Sequence, residues 1–347
     1  MSEGTPNELV VEIRSFVLGG NHGQFFQALG LQLALSEILP GAVVAHSRYH
    51  NHRFKELFAH VRGGTLPKYA AMQYHWKQAL NFLPTNLQPD VTIYGSDMIW
   101  HLESKLFPRD PFFFGAGDVA KYSLAYAPSV GSQDITPSLA GLNNFFSRLS
   151  CIGVRDIPTQ TFVEEISGRQ SELVMDPAFF LMPHVVPELP TTTVPISESH
   201  PIRIAAYTPN HAVQKRLRLK PPVRFSGYWP RAQIVTSFAD QMRNPVNVLR
   251  QVLDCDLLIT STFHGVVMAL MTNTPFVAIM SPSLIARLNG PISSLFAASR
   301  CVSVSDFVQL EDEQIRAFCD TSDLSPNKLG SLVRQSRKWL EQSLSDL

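Results

Sequence analysis

Short apolar runs alternate along the chain with longer stretches whose apolar positions recur every third or fourth residue, which predicts an α/β protein. Residues 9–16 read as a strand, the Leu-Gly-Gly-Asn-His-Gly segment as a loop, and residues 24–38 as a helix. That helix has Phe25, Leu29, Leu33 and Leu35 apolar, with Gly and Pro at its two ends. A strand near 42–45, helical stretches around 54–58 and 70–82, and a strand over 91–94 follow. Strands near 123–127, 152–154 and 172–174 come next, separated by helical segments over 138–149 and 159–165.

Between 183 and 201 the periodicity stops. Pro183, Pro187, Pro190, Pro195 and Pro201 surround a Thr-Thr-Thr run and a Ser-Glu-Ser, a composition that favours extended chain. A loop of that length inside one compact domain is unusual, so a domain boundary is expected there. Alternation resumes with strands over 202–206 and 233–236 and a helix that Asn244 caps, with Pro245 in its first turn and its end near Asp254. A buried strand over 257–260, a helix from about His264, a strand over 276–278 and a terminal helix over 327–343 complete the pattern. The expectation is two Rossmann-like domains, 1–185 and 200–325, facing across a cleft, with 326–347 packing back across them. Ligands of such parallel sheets bind outside the carboxyl ends of the strands.

A length of 347 residues suits two such domains. Lys plus Arg and Asp plus Glu are both 29, so no positive field argues for nucleic acid or an anionic membrane. The most apolar stretch, 257–280, is broken by His264, Asn273 and Pro275, and no transmembrane segment is expected; peripheral contact with a membrane surface stays open. The N-terminus is polar and acidic, unlike a secretory signal. Cys151, Cys255, Cys301 and Cys319 form no C-x-x-C pair, so a cytoplasmic setting with no metal site is expected.

The sharpest candidate chemistry lies in Thr260-Ser-Thr-Phe-His-Gly265, where an apolar strand runs straight into a helix start. The free N–H groups of a first helical turn and the hydroxyls of Ser261 and Thr262 suit phosphate or carboxylate, and His264 can exchange a proton there. Those hydroxyls are equally able to serve only as caps. Gly19-Gly-Asn-His-Gly23 is a glycine-rich β–α turn that lacks both G-x-G-x-x-G and the P-loop Lys. Asp97 follows a strand at its carboxyl end and can hold a sugar hydroxyl, act as a base, or cap a turn. Arg155, after a buried strand, can bind a planar anion bidentately or pair with Asp156. Asp176-Pro177 reads as a structural turn. A Ser261–His264 hydrolase pair is rejected, since no G-x-S-x-G elbow is present.

Taken in order, these motifs resemble the polysaccharide pyruvyltransferase family. Its N-x-G-x-x-x-Q pattern appears as Asn21-His-Gly-Gln-Phe-Phe-Gln27, and its GSDQIW as Gly95-Ser-Asp-Met-Ile-Trp100, with Met98 in place of Gln. Tyr126-Ala-Pro-Ser-Val-Gly131, Val154-Arg-Asp156 and Asp176-Pro177 match further stretches, and Thr260-Ser-Thr-Phe-His-Gly265 departs from T-D-S-F-H-G at Ser261 and Thr262. The resemblance implies a GT-B-like fold and transfer of a pyruvyl group from phosphoenolpyruvate to a sugar acceptor, usually as a cyclic ketal, with no cofactor. It implies His264 as general acid or base and Arg155, Thr262, Phe263, Gly265 and Arg287 around the donor. Asn21, Gln27, Ser96 and Asp97 would then face the acceptor. A GT-B glycosyltransferase using a nucleotide-sugar, with an acidic residue on the ribose, and a non-catalytic sugar-binding relative are the alternatives.

Overall fold

Six parallel strands make the first sheet of the computed structural model, in the order β2-β1-β3-β4-β5-β6. They are β1 (Val10–Arg14), β2 (Val43–His46), β3 (Val91–Tyr94), β4 (Tyr122–Tyr126), β5 (Ile152–Val154) and β6 (Glu172–Leu173). The structure describes residues 8–19, 21–48, 61, 66–102, 110–131, 142–185, 202–208, 210–217 and 245–347. The expected helix at 54–58, the strand at 233–236, the Asn244 cap and residues 186–201 of the Pro-rich stretch lie outside the described residues.

Among the described residues four helices accompany this sheet: α1 (His22–Ile38), α2 (Leu66–Ala79), α3 (Leu142–Arg148) and α4 (Ile157–Ser167). A 3-10 segment over Pro177–Leu181 leads into a helical turn, α5 (Met182–Val185). The Pro-rich pattern predicted irregular chain from residue 183, but Pro183 falls in the first turn of α5, where a missing N–H costs nothing. Helix α1 starts at His22, two residues before the start expected at Gln24. The Asn21 side chain accepts from the Gly23 N–H at 2.9 Å, so the end of the glycine-rich loop becomes the first helical turn.

The second sheet runs β10-β9-β8-β7, all parallel, from β7 (Ile204–Tyr207), β8 (Leu257–Thr260), β9 (Phe276–Ile279) and β10 (Cys301–Val302). Strands β8 and β9 are wholly buried, as expected of parallel strands covered on both faces. Among the described residues its helices are α6 (His211–Arg216), α7 (Pro245–Leu253), α8 (Phe263–Met271), α9 (Pro282–Leu288), α10 (Val304–Gln309) and α11 (Asp312–Ala317). The chain ends in α12 (Pro326–Ser343).

Helix α12 lies against the first sheet. An ideal Cβ on Gly153 of β5 would sit 2.8 Å from the Trp339 ring, and the Met175 N–H donates to Ser336 Oγ at 2.9 Å. Leu340 and Leu344 join the apolar cluster of Val11, Ile13 and Leu124. A second cluster crosses between the sheets, packing Phe25, Phe26, Trp76 and Phe179 with Val248, Leu249, Val266 and Leu270. Burial of this apolar surface is what seats the carboxyl edge of one sheet against that of the other.

Candidate active site

The first sheet reverses its strand order at β1 and β3, and a doubly wound sheet opens a crevice at such a point. The loops leaving these two strands hold each other: Ser15 Oγ donates to the Ser96 carbonyl at 3.2 Å. Helix α1 rises from one side of the crevice, and Gly95, Ser96 and Asp97 line the other. Gly95 has φ +137 and an ideal Cβ there would lie 1.9 Å from the Tyr126 carbonyl oxygen, so only glycine fits between β3 and β4. Asp97 has φ +76, a left-handed conformation that a non-glycine residue adopts at a cost. It is held there by Ser129 N–H donating to its carbonyl and by its own carboxylate accepting from Met98 N–H, both at 2.8 Å.

Helix α8 starts opposite. Thr262 caps it, accepting from the Gly265 N–H at 3.1 Å, and Thr260 Oγ1 donates to the Tyr207 carbonyl at 2.9 Å. Ser261 does not cap: its hydroxyl pairs with Thr208 Oγ1 at 2.6 Å, at the ends of β8 and β7. Gly265 permits the helix to sit on its own strand, since an ideal Cβ would lie 1.9 Å from Thr260 Oγ1. Gly23 plays the corresponding part across the crevice, where an ideal Cβ would lie 2.1 Å from His264 Cγ. The first turns of α1 and α8 therefore meet at His264. Both helix ends direct partial positive charge into one place.

His264 is 6% exposed, and its Nε2 is buried without a hydrogen-bond partner. Burial, then Arg155, then Arg287 push its pKa well below that of an ordinary histidine, so the imidazole is neutral at pH 7. Phe263, fully buried beside it, faces both guanidiniums. Arg155 Cζ lies 4.7 Å and Arg287 Cζ 5.8 Å from its ring centroid, within cation–π range. Arg287 is half-buried in α9, with Nε donating to the Ser283 carbonyl at 3.0 Å. Burial first, and Arg155 second, lower its pKa to about 10.

Arg155, 3% exposed, follows β5. Its Nη1 donates to Asp176 Oδ2 at 3.0 Å, while Nη2 lies 3.9 Å from Asp97 and Nε 3.8 Å from Asp156. Nε and Nη2 have no hydrogen-bond partner. Asp156 instead caps α4, accepting from the Thr159 N–H at 3.0 Å. Burial pushes the carboxyls of Asp156 and Asp176 up, and Arg155 pulls both down. The loop after α9 closes over this group. An ideal Cβ on Gly290 would lie 2.5 Å from the Arg155 carbonyl oxygen, and the Ile157 N–H donates to the Asn289 carbonyl at 2.7 Å.

The structure thus gathers Arg155, Asp97, Phe263, His264 and Arg287 at one point, with Thr262 and Gly265 in the adjoining helix start. Ser96 is buried beside Asp97 with its Oγ unpartnered. Asn21 is exposed and occupied as a cap. Gln27 is 1% exposed and its amide donates to Asp176 Oδ2 at 2.5 Å, which puts it behind Arg155 and away from the crevice mouth. Asp176 is the member that sequence reasoning passed over, because a Pro after it makes a sufficient turn. Its signal was positional: Asp97, Asp156 and Asp176 all stand just beyond the carboxyl ends of strands of one sheet. Among the described residues no group of three His, Cys, Asp or Glu side chains is placed to hold a metal ion, and no helix is long and apolar enough to cross a membrane.

Two Rossmann-like domains meeting at the carboxyl ends of their parallel strands define a GT-B-like fold. A Listeria monocytogenes protein described as a UDP-N-acetylglucosamine 2-epimerase shares it, with a TM-score of 0.50 at 9% identity over 96% of this chain and 97% of that one. UDP-GlcNAc 2-epimerase from Neisseria meningitidis bound to UDP-GlcNAc is similar at TM-score 0.48 and 7% identity, covering 98% and 100%. Anabaena HepE in complex with UDP is similar at TM-score 0.46 and 10% identity, covering 98% and 100%. No curated protein matches the chain. Residues 21–282 match the polysaccharide pyruvyl transferase family, and the chain belongs to it. It is a transferase by family.

Proposed function

We propose that the protein transfers the pyruvyl group of phosphoenolpyruvate to a sugar of a glycan or glycolipid, forming a pyruvate ketal. The observation that supports this most is the set of buried donors without acceptors, Arg155 Nε and Nη2, at a junction of two helix N-termini beside a neutral His264. A small ligand with a carboxylate and a phosphate matches such a site. Arg155 would take the carboxylate in a bidentate contact. Arg287 and the first turn of α8, with Thr262 and Gly265, would take the phosphate.

The reaction adds a proton to C3 of the enol and makes C2 electrophilic. A sugar hydroxyl oxygen bonds to C2 and gives up its proton, and a second hydroxyl displaces phosphate with loss of another. One proton stays on C3, the other leaves with phosphate, and neither a metal nor an organic cofactor enters this balance. His264, protonated as the polyanionic donor offsets Arg155 and Arg287, would supply the C3 proton and later accept one from a hydroxyl. Asn21, Ser96 and Asp97 would meet the acceptor on the facing side. Phosphoenolpyruvate is a cytoplasmic metabolite, which makes the cytoplasm the setting.

The test is phosphate release from phosphoenolpyruvate with a panel of lipid-linked and aryl glycosides, on wild type and His264→Ala. Acceptor-dependent release that falls at least 100-fold in the variant is expected. Thermal stabilisation by a nucleotide-sugar, with none by phosphoenolpyruvate, would overturn the reading in favour of glycosyl transfer.

A further inference from the structure

Arg155 is anchored on one side of its guanidinium and open on the other. Nη1 is bonded to Asp176 Oδ2, and the Nε–Nη2 edge, the pair that grips a planar anion, is unpartnered. The anchor is built from three elements. Asp176 Oδ1 accepts from the Ala178 N–H at 3.0 Å and begins the 3-10 segment. Its Oδ2 accepts from Gln27 of α1 as well as from Arg155 after β5. Helix α1 is fixed against this segment at the backbone, for an ideal Cβ on Gly30 would lie 2.1 Å from the Pro177 carbonyl oxygen. A turn needs only the Oδ1 contact, and the second oxygen is spent on orienting the arginine.

We infer that Asp176, steered by Gln27, is a positioning residue that sets the plane of the Arg155 guanidinium and presents its Nε–Nη2 edge to the donor carboxylate. The donor's identity rests on the function proposed above; the anchor requires only a planar anion. Asp97 and Asp156, both beyond 3.5 Å, balance the charge of Arg155 without fixing its angle. Gln27 thereby belongs to the donor side of the site, although its place in the Asn21–Gln27 motif suggested the acceptor.

Isothermal titration with phosphoenolpyruvate and, separately, with inorganic phosphate tests this on wild type, Asp176→Asn, Gln27→Met, and the same changes in an Arg155→Lys background. Phosphoenolpyruvate binding should weaken at least tenfold in Asp176→Asn and about threefold in Gln27→Met, with phosphate affinity changed less than twofold. In the Arg155→Lys background neither change should cost more than about twofold further, because residues acting through one partner are not additive. Additive losses, unchanged phosphoenolpyruvate binding, or parallel loss of phosphate binding would each overturn the inference and leave Asp176 a plain cap. Gln27→Met keeps the Asp176–Arg155 pair and guards against a variant that fails to fold. If wild type binds no phosphoenolpyruvate, the donor reading falls, and the anchor is still decided by NMR of the Arg155 guanidinium. Its Nε–H signal, assigned by loss in Arg155→Lys, should show hindered rotation in wild type and averaging in Asp176→Asn; no difference would overturn the anchor alone.

Discussion

Helices α1 and α8 begin at the same crevice, each with a polar cap and a glycine in the first turn, yet the two glycines do opposite work. Gly265 makes room for Thr260, the end of the strand that leads into its own helix. Gly23 makes room for His264, a residue of the other domain. One glycine seats a helix on its sheet, and the other lets two domains share a site. The caps divide the same way: Asn21 is exposed and accepts from Gly23 within its own turn, whereas Thr262 is linked through Thr260 Oγ1, at 3.2 Å, to the end of β8.

Substituting these glycines separates the two roles. In Gly23→Ala the new methyl meets His264 Cγ and Nδ1, and the imidazole or the domain contact must move. Displacement of a reacting group by about 1 Å costs on the order of 100-fold in rate. A fall of that size in kcat/KM for phosphate release is expected, with circular dichroism unchanged. Retained activity would mean that His264 is not held against α1 during turnover. Gly265→Ala should act on stability first. Its methyl would overlap both Thr260 Oγ1 and Cβ, which lie inside a close-packed strand–helix junction, and overpacking of this kind costs about 2 kcal/mol. Urea unfolding reads that loss, and a Gly265→Ala protein as stable as wild type would show that β8 and α8 can slide apart.

Strands β1 to β9 and the two-domain plan were legible because parallel strands buried on both faces are short, nearly continuous apolar runs; β10, at two residues, makes no such run. Leu-Leu-Ile before Thr260 and the Val-Thr-Ile-Tyr of β3 read directly as such. The candidate site was legible as a set of residues beyond strand ends, and the structure brings Arg155 and His264 together from points far apart in the chain. What did not show was which partner each residue serves. Gln27 lies one turn beyond Gly23 on α1, and nothing local says that its amide turns to Asp176. Helix α6 escaped notice because its six residues are too few for a period, and α5 because the proline-rich run that opens at Pro183 outweighed everything else. The start of α1 was missed because Asn21 makes a cap out of what reads as a loop.

Acidification distinguishes a histidine of the crevice from one of the sheet. His46, at the end of β2, is buried and set against the Ala28 carbonyl at 3.2 Å; burial lowers its pKa to about 4 despite that contact. His264 is lowered by burial and by two arginines. The unfolded chain takes up these protons near pH 6.5, and the folded protein takes them up only at lower pH. Stability is therefore complete above pH 6.5 and lost as pH falls toward the folded values. Between pH 6.5 and 5.5 His46 should cost about 1 kcal/mol, and His264 adds a loss of the same sign. A saturating polyanion such as phosphoenolpyruvate should recover the His264 part, by neutralising Arg155 and Arg287, and leave the His46 part. Thermal unfolding across this window, with and without the ligand, in wild type and His46→Gln, checks it. Equal recovery of both parts would argue that the ligand stabilises by binding alone.

The smallest effects are expected at the caps. Loss of an N-cap side chain costs about 1 kcal/mol of stability, and both Asn21→Ala and Thr262→Ala should show it. They should diverge in binding. Without its cap the first turn of α8 frays where the donor's phosphate would lie, and a helix N-terminus contributes about 0.3–1 kcal/mol to a bound anion. Thr262→Ala should then weaken inorganic phosphate about threefold. Asn21 caps the facing helix, whose first turn is covered by His264, so Asn21→Ala should raise the acceptor KM more than the donor KM. Titration of each variant with phosphate, beside steady-state kinetics in both substrates, measures the difference. Equal losses of phosphate affinity in the two variants would mean that the start of α1 holds the anion as closely as the start of α8 does, and the division of labour between Gly23 and Gly265 would then be one of packing only.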